Sequence, residues 1–334
     1  MQQYMSIRCV HSAAMVVTMA LGAALSLGSG SAAAQAAWPS RTVRIIVPFP
    51  AGGSSDMVAR QLAQHLGGAL GQQFVVENRA GAAGNLGTDA VAKALADGYT
   101  LGLSSSGPLA NNQSLYKSMP YDAQKDLTPI ALVGEIPLVI VTNPEIKAAT
   151  LKEFVTQANA NPGRYSAGHP GNGTIGHLAL ESFKALTGAN TQLVPYKGDT
   201  PAMTDLLGGQ IQAVAAPVTS FILNIQNKKL RALALTAKAR FAGLSDVPTA
   251  LEQGVNLDAA VWSGVIGPAG LHAGVVARLN QEINKYTSSA EGRARLAQFG
   301  MSEVNGAPDM LGKLMAAEAA KWKKVVDAAR ISLE

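Results

Sequence analysis

Two segments gather residues able to hold an anion. Pro48-Phe49-Pro50-Ala51-Gly52-Gly53-Ser54-Ser55-Asp56 runs from an apolar strand pattern into helix-capping residue types. His169-Pro170-Gly171-Asn172-Gly173-Thr174 repeats that arrangement far downstream. Glycines in such loops let backbone N–H groups turn toward a ligand, and the helix that follows adds partial positive charge at its start. Two such loops facing each other across a cleft would grip a small acid by its two ends. The residues alone leave a second reading equally open, in which both are ordinary strand-to-helix turns of an α/β fold.

Other chemistry has less behind it. Gly171-Asn172-Gly173-Thr174-Ile175-Gly176 spells the dinucleotide fingerprint G-x-G-x-x-G. The next strand pattern ends at Tyr196-Lys197 rather than at an acid that would hold a ribose, and Asp199 falls past it. Ser104-Ser105-Ser106 ends a strand pattern, but no G-x-S-x-G elbow surrounds it and no base is paired with it in sequence. It reads as a polar loop contacting ligand or water. His65, His169, His177 and His272 form no H-E-x-x-H, and His169 with His177 would need a third ligand to bind zinc. No catalytic residue, metal or cofactor is expected.

Elements must carry these loops. Short β-branched strands alternate with helical patterns, which argues for parallel α/β lobes. In the first lobe the strands are Val43–Val47, Phe74–Val76, Thr100–Leu103, Ile130–Val133 and Pro137–Val141. A helix begins near Ser54, with Val58, Leu62 and Leu66 on one face. A glycine-rich turn spans 78–87, and a helix follows from about Thr88 to Leu95. Asn143-Pro144 breaks the pattern and places a crossing to a second lobe. That lobe has a helix over Leu151–Ala158 and strands at Tyr165–Ala167, Gln192–Val194, Gln212–Ala215 and Leu230–Leu235. A helix bearing Leu180, Phe183 and Leu186 is ended by Gly188. Val261–Pro268 is the return crossing, and helices at Gly274–Ser288 and Pro308–Ala329 close the chain.

Composition sets the outer limits. Hydrophobic residues make up 48% and charged residues 15% of the 334, which describes a packed protein long enough for two lobes. Arg8, the apolar run Ala13–Leu27 and Ala34-Gln35-Ala36 have the layout of a secretory signal peptide cleaved near Ala36. The run is shorter than the roughly 18–20 residues of a spanning helix, and nothing later is long and apolar enough. The single cysteine, Cys9, precedes it, so the mature chain has no thiol for a disulfide, metal site or nucleophile. The formal charge of +5 is spread without a Lys/Arg block, which argues against nucleic acid.

The run VRIIVPFPAGGSSDMVARQLA, from Val43 to Ala63, resembles the start of the tripartite tricarboxylate transporter substrate-binding family, the Bug receptors. Further pieces follow in the family's order: Glu77-Asn78-Arg79-Ala80-Gly81, Ala96-Asp97-Gly98-Tyr99-Thr100, Pro195-Tyr196-Lys197-Gly198, Leu206-Leu207-Gly208-Gly209-Gln210, Leu230-Arg231-Ala232-Leu233-Ala234 and Asp246-Val247-Pro248-Thr249. Ala80 stands where the family usually has proline, and His169-Pro170 is less typical of it.

The resemblance implies a two-lobed periplasmic binding protein, a type II-like Venus flytrap with two crossovers. Residues 1–36 are then the signal peptide, 37–142 and 261–334 the first lobe, and 143–260 the second. It implies a periplasmic, monomeric receptor that closes by a hinge on a small organic acid, a carboxylate or dicarboxylate or an aromatic acid, and delivers it to membrane transporter subunits without being embedded itself. Alternatives are an α/β enzyme, hydrolytic or dinucleotide-dependent, and a periplasmic sensor with a protein partner. Carried over by position, the ligand-binding residues are Phe49, Gly52, Gly53, Ser54, Ser55, Asp56, Ser104, Ser105 and Ser106 from the first lobe. The second supplies His169, Gly171, Asn172, Gly173, Thr174, Pro217 and Thr219. Backbone N–H groups and hydroxyls would bind carboxylate oxygens, and Phe49 would pack on the ligand body. Asp56 either caps its helix or accepts from a water or ligand donor, and Lys197 reads as structural or interlobe.

Overall fold

A computed structural model describes residues 38–333. The signal peptide, its cleavage point and Cys9 lie outside the described residues.

The first lobe is built on β1 (Val43–Val47), β2 (Phe74–Asn78) and β3 (Thr100–Ser105), parallel to one another in the order β2-β1-β3. Strands covered on both faces read as apolar runs, and Val43, Ile45, Ile46 and Val47 are all buried. The link from β1 to β2 is α1 (Ser54–Leu70), whose Val58, Leu62, Leu66 and Leu70 face the core as their spacing demands. Gly71, left-handed at φ 71°, ends it by donating its N–H to Gly67 O. α2 (Asn85–Ala92) returns the chain to β3.

After β3 comes a five-residue π turn, Gly107–Asn111, running into the short α3 (Asn112–Leu115). The chain then enters β4 (Leu127–Thr142), one strand of 16 residues where the sequence pattern predicts two. From Leu127 to Pro137 it pairs antiparallel with β9 (Ala260–Pro268), which also pairs with β3. From Leu138 to Thr142 it pairs instead with β7 (Ala213–Pro217) and β8 (Arg231–Leu235). Gly134 looks like a strand breaker, yet a Cβ there would lie 2.5 Å from Ser302 O. Glycine is what lets β10 (Ser302–Glu303) dock on this edge.

The second lobe holds α4 (Leu151–Ala160), β5 (Ser166–His169), α5 (Ile175–Thr187), β6 (Gln192–Pro195), α6 (Asp199–Leu207), β7, α7 (Val218–Gln226) and β8. Its core packs Phe154, Leu180 and Phe183 over Ala213, Ala215 and Leu233. Gly188 ends α5 in the left-handed region, as its position predicts.

Where β4 changes partners, Thr236 ties both crossing strands. Its N–H donates to Leu138 O at 3.0 Å, its hydroxyl donates to Ala259 O, and Ala259 N–H donates back to Thr236 O at 2.7 Å. Thr236 is fully buried, so these bonds are shielded from water. The chain ends with α8 (Ala273–Ser288), α9 (Ala290–Gln298) and α10 (Pro308–Ala329). A third apolar cluster joins Leu115 of the first lobe, Leu138 and Ala259 at the crossing, Ile175 and Leu178 of the second lobe, and Trp322 and Val326 of α10. The last described residue, Leu333, packs against it, so α10 braces both lobes at once.

Candidate functional site

Between the lobes lies a cavity of about 290 Å³. Ser105, Ser106, Pro108, Asn111, Asn112, Tyr116, Phe49 and Ala83 line it from the first lobe. Pro170, Asn172 to Gly176, Asp199 and Pro217 line it from the second, with Val261 at the crossing and Leu333 from the chain end.

The first-lobe wall is shaped by the glycine-rich turn. Gly81, Ala82, Ala83 and Gly84 all have positive φ, at 141°, 47°, 52° and 92°. Two alanines held left-handed cost about 1–2 kcal/mol each, and strain of that kind gathers at functional sites. A Cβ on Gly84 would lie 2.7 Å from Pro108 Cγ and 3.2 Å from the Phe49 ring. Its absence seats Phe49 against the π turn. Tyr121 donates its hydroxyl to Pro108 O at 2.7 Å, and burial pushes that phenol above its ordinary range, so it stays a donor. Asn112 Nδ2 donates to Asn85 Oδ1 at 2.6 Å and completes the clamp. The side-chain Oδ1 of Asn111 is buried and has no hydrogen-bond partner among the described residues.

The second-lobe wall hangs on two histidines. The rings of His169 and His177 stack at 4.2 Å and 15°. His169 Nδ1 is 3.0 Å from Gly171 O, and a carbonyl only accepts, so that nitrogen carries the proton. Gly173 N–H donates to His177 Nδ1 at 3.1 Å, so His177 carries its proton on Nε2, which faces Glu181 at 3.8 Å. Burial, reinforced by His177, pulls His169 down to about 4; burial and then Lys184 lower His177. Both are neutral at neutral pH. Thr174 donates its hydroxyl to Gly171 O at 2.7 Å and caps α5 by accepting from His177 N–H. Gly173 N–H is thereby spent on His177. Ile175 and Gly176 also line the cavity, and their N–H groups, in the first turn of α5, have no acceptor within their helix. A Cβ on Gly176 would lie 2.4 Å from Ala215 O, so this glycine brings α5 down onto β7.

Of the residues expected at a site, Phe49, Ser105, Ser106, Asn172, Gly173, Thr174 and Pro217 meet at this cavity. The others stand behind it or beside it. Gly53 is the N-cap of α1, and Gly52 and Ser54 are exposed while Ser55 is half-buried. Asp56 is buried in the first turn of α1. It accepts from Gly52 N–H, Arg60 and Asn78, and the Arg60 hydrogen bond foremost holds its carboxyl below the usual range. Ser104 shares a 3.0 Å hydrogen bond with Thr88. His169 and Gly171 brace the loop, and Thr219 packs against the Gly300 turn. Lys197 is exposed. Asn111, Asn112, Tyr116, Asp199, Val261 and Leu333 line the cavity without having been expected there. Asp199 is the first residue of α6, accepts a short hydrogen bond from Ser220, and has its carboxyl pushed up by burial against that bond's opposing effect.

Known proteins resemble this chain along most of its length. The sequence profile described as tripartite tricarboxylate transporter family receptor matches residues 58–331. Protein BugT of Bordetella pertussis is 42% identical over 291 residues, covering 86% of this chain and 89% of the relative. A solved R. palustris protein with adipate is 33% identical, with a TM-score of 0.75 over 89% of this chain and all of its own. MatC from Rhodopseudomonas palustris, solved with bound malate, is 29% identical, with a TM-score of 0.70 over 86% of this chain and 100% of its own.

Proposed function

The chain belongs to the tripartite tricarboxylate transporter receptor family, and on that premise we propose that it captures a small carboxylate between its lobes and presents it to membrane transporter subunits. The observation that carries this reading is the cavity itself. The first turn of α5, with Ile175 and Gly176, lines it from the second lobe, and Ser105 and Ser106 line it from the first. Helix-end donors and hydroxyls bind carboxylate oxygens through charge-assisted hydrogen bonds, and need no fixed cation to do so. The adipate and malate seen in similar structures are acids of the size this space admits.

In this reading Phe49, Ser105, Ser106, Asn172, Gly173, Thr174 and Pro217 touch the ligand. Gly52 to Asp56, Ser104, His169, Gly171 and Thr219 hold the walls that they form. Residues 37–142 and 261–334 make one lobe and 143–260 the other, and the hinge is the pair of strands bound by Thr236. Ligand stabilises the closed arrangement by contacting both lobes at once. No helix among the described residues is long and apolar enough to cross a membrane. The signal peptide, cleaved near Ala36, sends the mature monomer to the periplasm, where it binds without catalysis.

The test is a thermal-shift screen of the mature protein against dicarboxylates, aromatic acids and amino acids. A binder gains stability as RT ln(1 + [L]/Kd). An acid that raises the midpoint and is recovered unchanged supports the reading; consumption of the acid, or no response to any of them, refutes it.

A further inference from the structure

The cavity has an unbalanced set of polar groups. Among the described residues lining it, Asp199 alone carries a formal charge, and that charge is negative. No lysine, arginine or histidine lines the space, and Asp199 forms no ion pair with a described residue. Ser220 donates to one carboxylate oxygen from α7 and fixes the side chain. An anion is served by α5 and the serines, whereas the Asp199 carboxylate meets no cation among the described residues lining the cavity. A carboxylate partly withdrawn from water without a cation beside it is costly, and a second carboxylate beside Asp199 would meet like charge.

We propose that Asp199 is a specificity-determining residue that selects acids carrying a cationic nitrogen. This rests on the acid-binding reading above and sharpens it. The ligand lies with its carboxylate on the start of α5 and its ammonium toward α6. Burial that raises the Asp199 carboxyl is then relieved by the ligand's own charge.

The experiment is isothermal titration of the mature protein at pH 8 with three matched pairs: glutamate against glutarate, 4-aminobutyrate against butyrate, and 3-(aminomethyl)benzoate against 3-methylbenzoate. In every pair that binds, the amine-bearing member is expected to bind about tenfold tighter or more, the range of a hydrogen bond to a charged group. D199N keeps an oxygen for Ser220 and the same shape, and is expected to erase that preference with its thermal midpoint unchanged. Equal affinity within the wild-type pairs, or a preference that survives in D199N, overturns the inference and leaves acid binding standing. Silence from all six compounds overturns both.

Discussion

Gly176→Ala adds one methyl group where the second lobe is least able to yield. The new Cβ would sit 2.4 Å from Ala215 O and 2.9 Å from Pro170 Cδ. Ala215 is fully buried within β7, and the obstacle is its backbone rather than a side chain that turns aside. Cβ atoms essentially never come closer than 3.0 Å, so α5 has to lift from β7 by about 0.6 Å or more. The helix carries Leu178, Ala179, Leu180 and Phe183 into the core, and lifting it loosens all four. Overpacking of this kind costs about 1–3 kcal/mol, against at most about 1 kcal/mol regained from the better helix propensity of alanine. The expected net loss is about 1–2 kcal/mol, read as a lower urea midpoint with an unchanged slope. Because Ile175 and the substituted residue head the same helix, their N–H groups move with it, and acid affinity falls about tenfold. A variant as stable as the wild type, with affinity intact, would refute the claim that this glycine sets the height of the binding loop.

Other expectations follow from the same geometry. Gly173→Ala meets Leu333 Cδ1 at 2.6 Å, but that neighbour is a side chain and yields; the left-handed φ of 74° remains, so a stability loss of about 1–2 kcal/mol is expected in urea unfolding. Thr236→Val removes the hydroxyl from Ala259 O while keeping the shape, and should cost about 1–2 kcal/mol in the same assay, with Val standing in a cavity it fits. His169 and His177 are neutral when folded and titrate higher when unfolded, so they favour the fold above about pH 6.5. For His169 that contribution is lost as pH falls toward about 4, and His169→Gln should flatten the decline in midpoint across this window. Ser54→Ala should leave ligand affinity within about twofold, whereas Ser105→Ala should weaken it by about tenfold, both by titration.

The periodic parts of the fold were readable from the residues. Val58, Leu62 and Leu66 recur on one helical face and are buried there, and Gly188 ends its helix where it was expected to. The sequence pattern divides β4 in two because Gly134-Glu135 carry no strand signal. Long-range pairing with β9 and the docking of β10 override that local message. The site divided along the same line. Ser105, Ser106 and Asn172 to Thr174 end strands or open helices, so motif and position point to them. Asn111, Asn112 and Tyr116 face the cavity only because a π turn rotates the chain after Pro108, and no pattern marks such a turn. Leu333 and Val261 arrive from distant parts of the chain, and nothing local to them speaks of a ligand. The first-lobe loop shows the opposite error. Its glycine and serine residues have the types a binding loop needs, but Asp56 reaches back to Gly52 N–H and closes the turn on itself.

In the proposed complex one acid is held between the lobes by the start of α5 on one side and Ser105 and Ser106 on the other. Isothermal titration of the mature protein with malate, adipate and their amine-bearing analogues tests it most directly, with Ser105→Phe alongside to fill the cavity. Saturable one-to-one binding with a negative heat-capacity change is expected, abolished in Ser105→Phe while its fold persists. Binding that survives Ser105→Phe unchanged would place the acid elsewhere and contradict it.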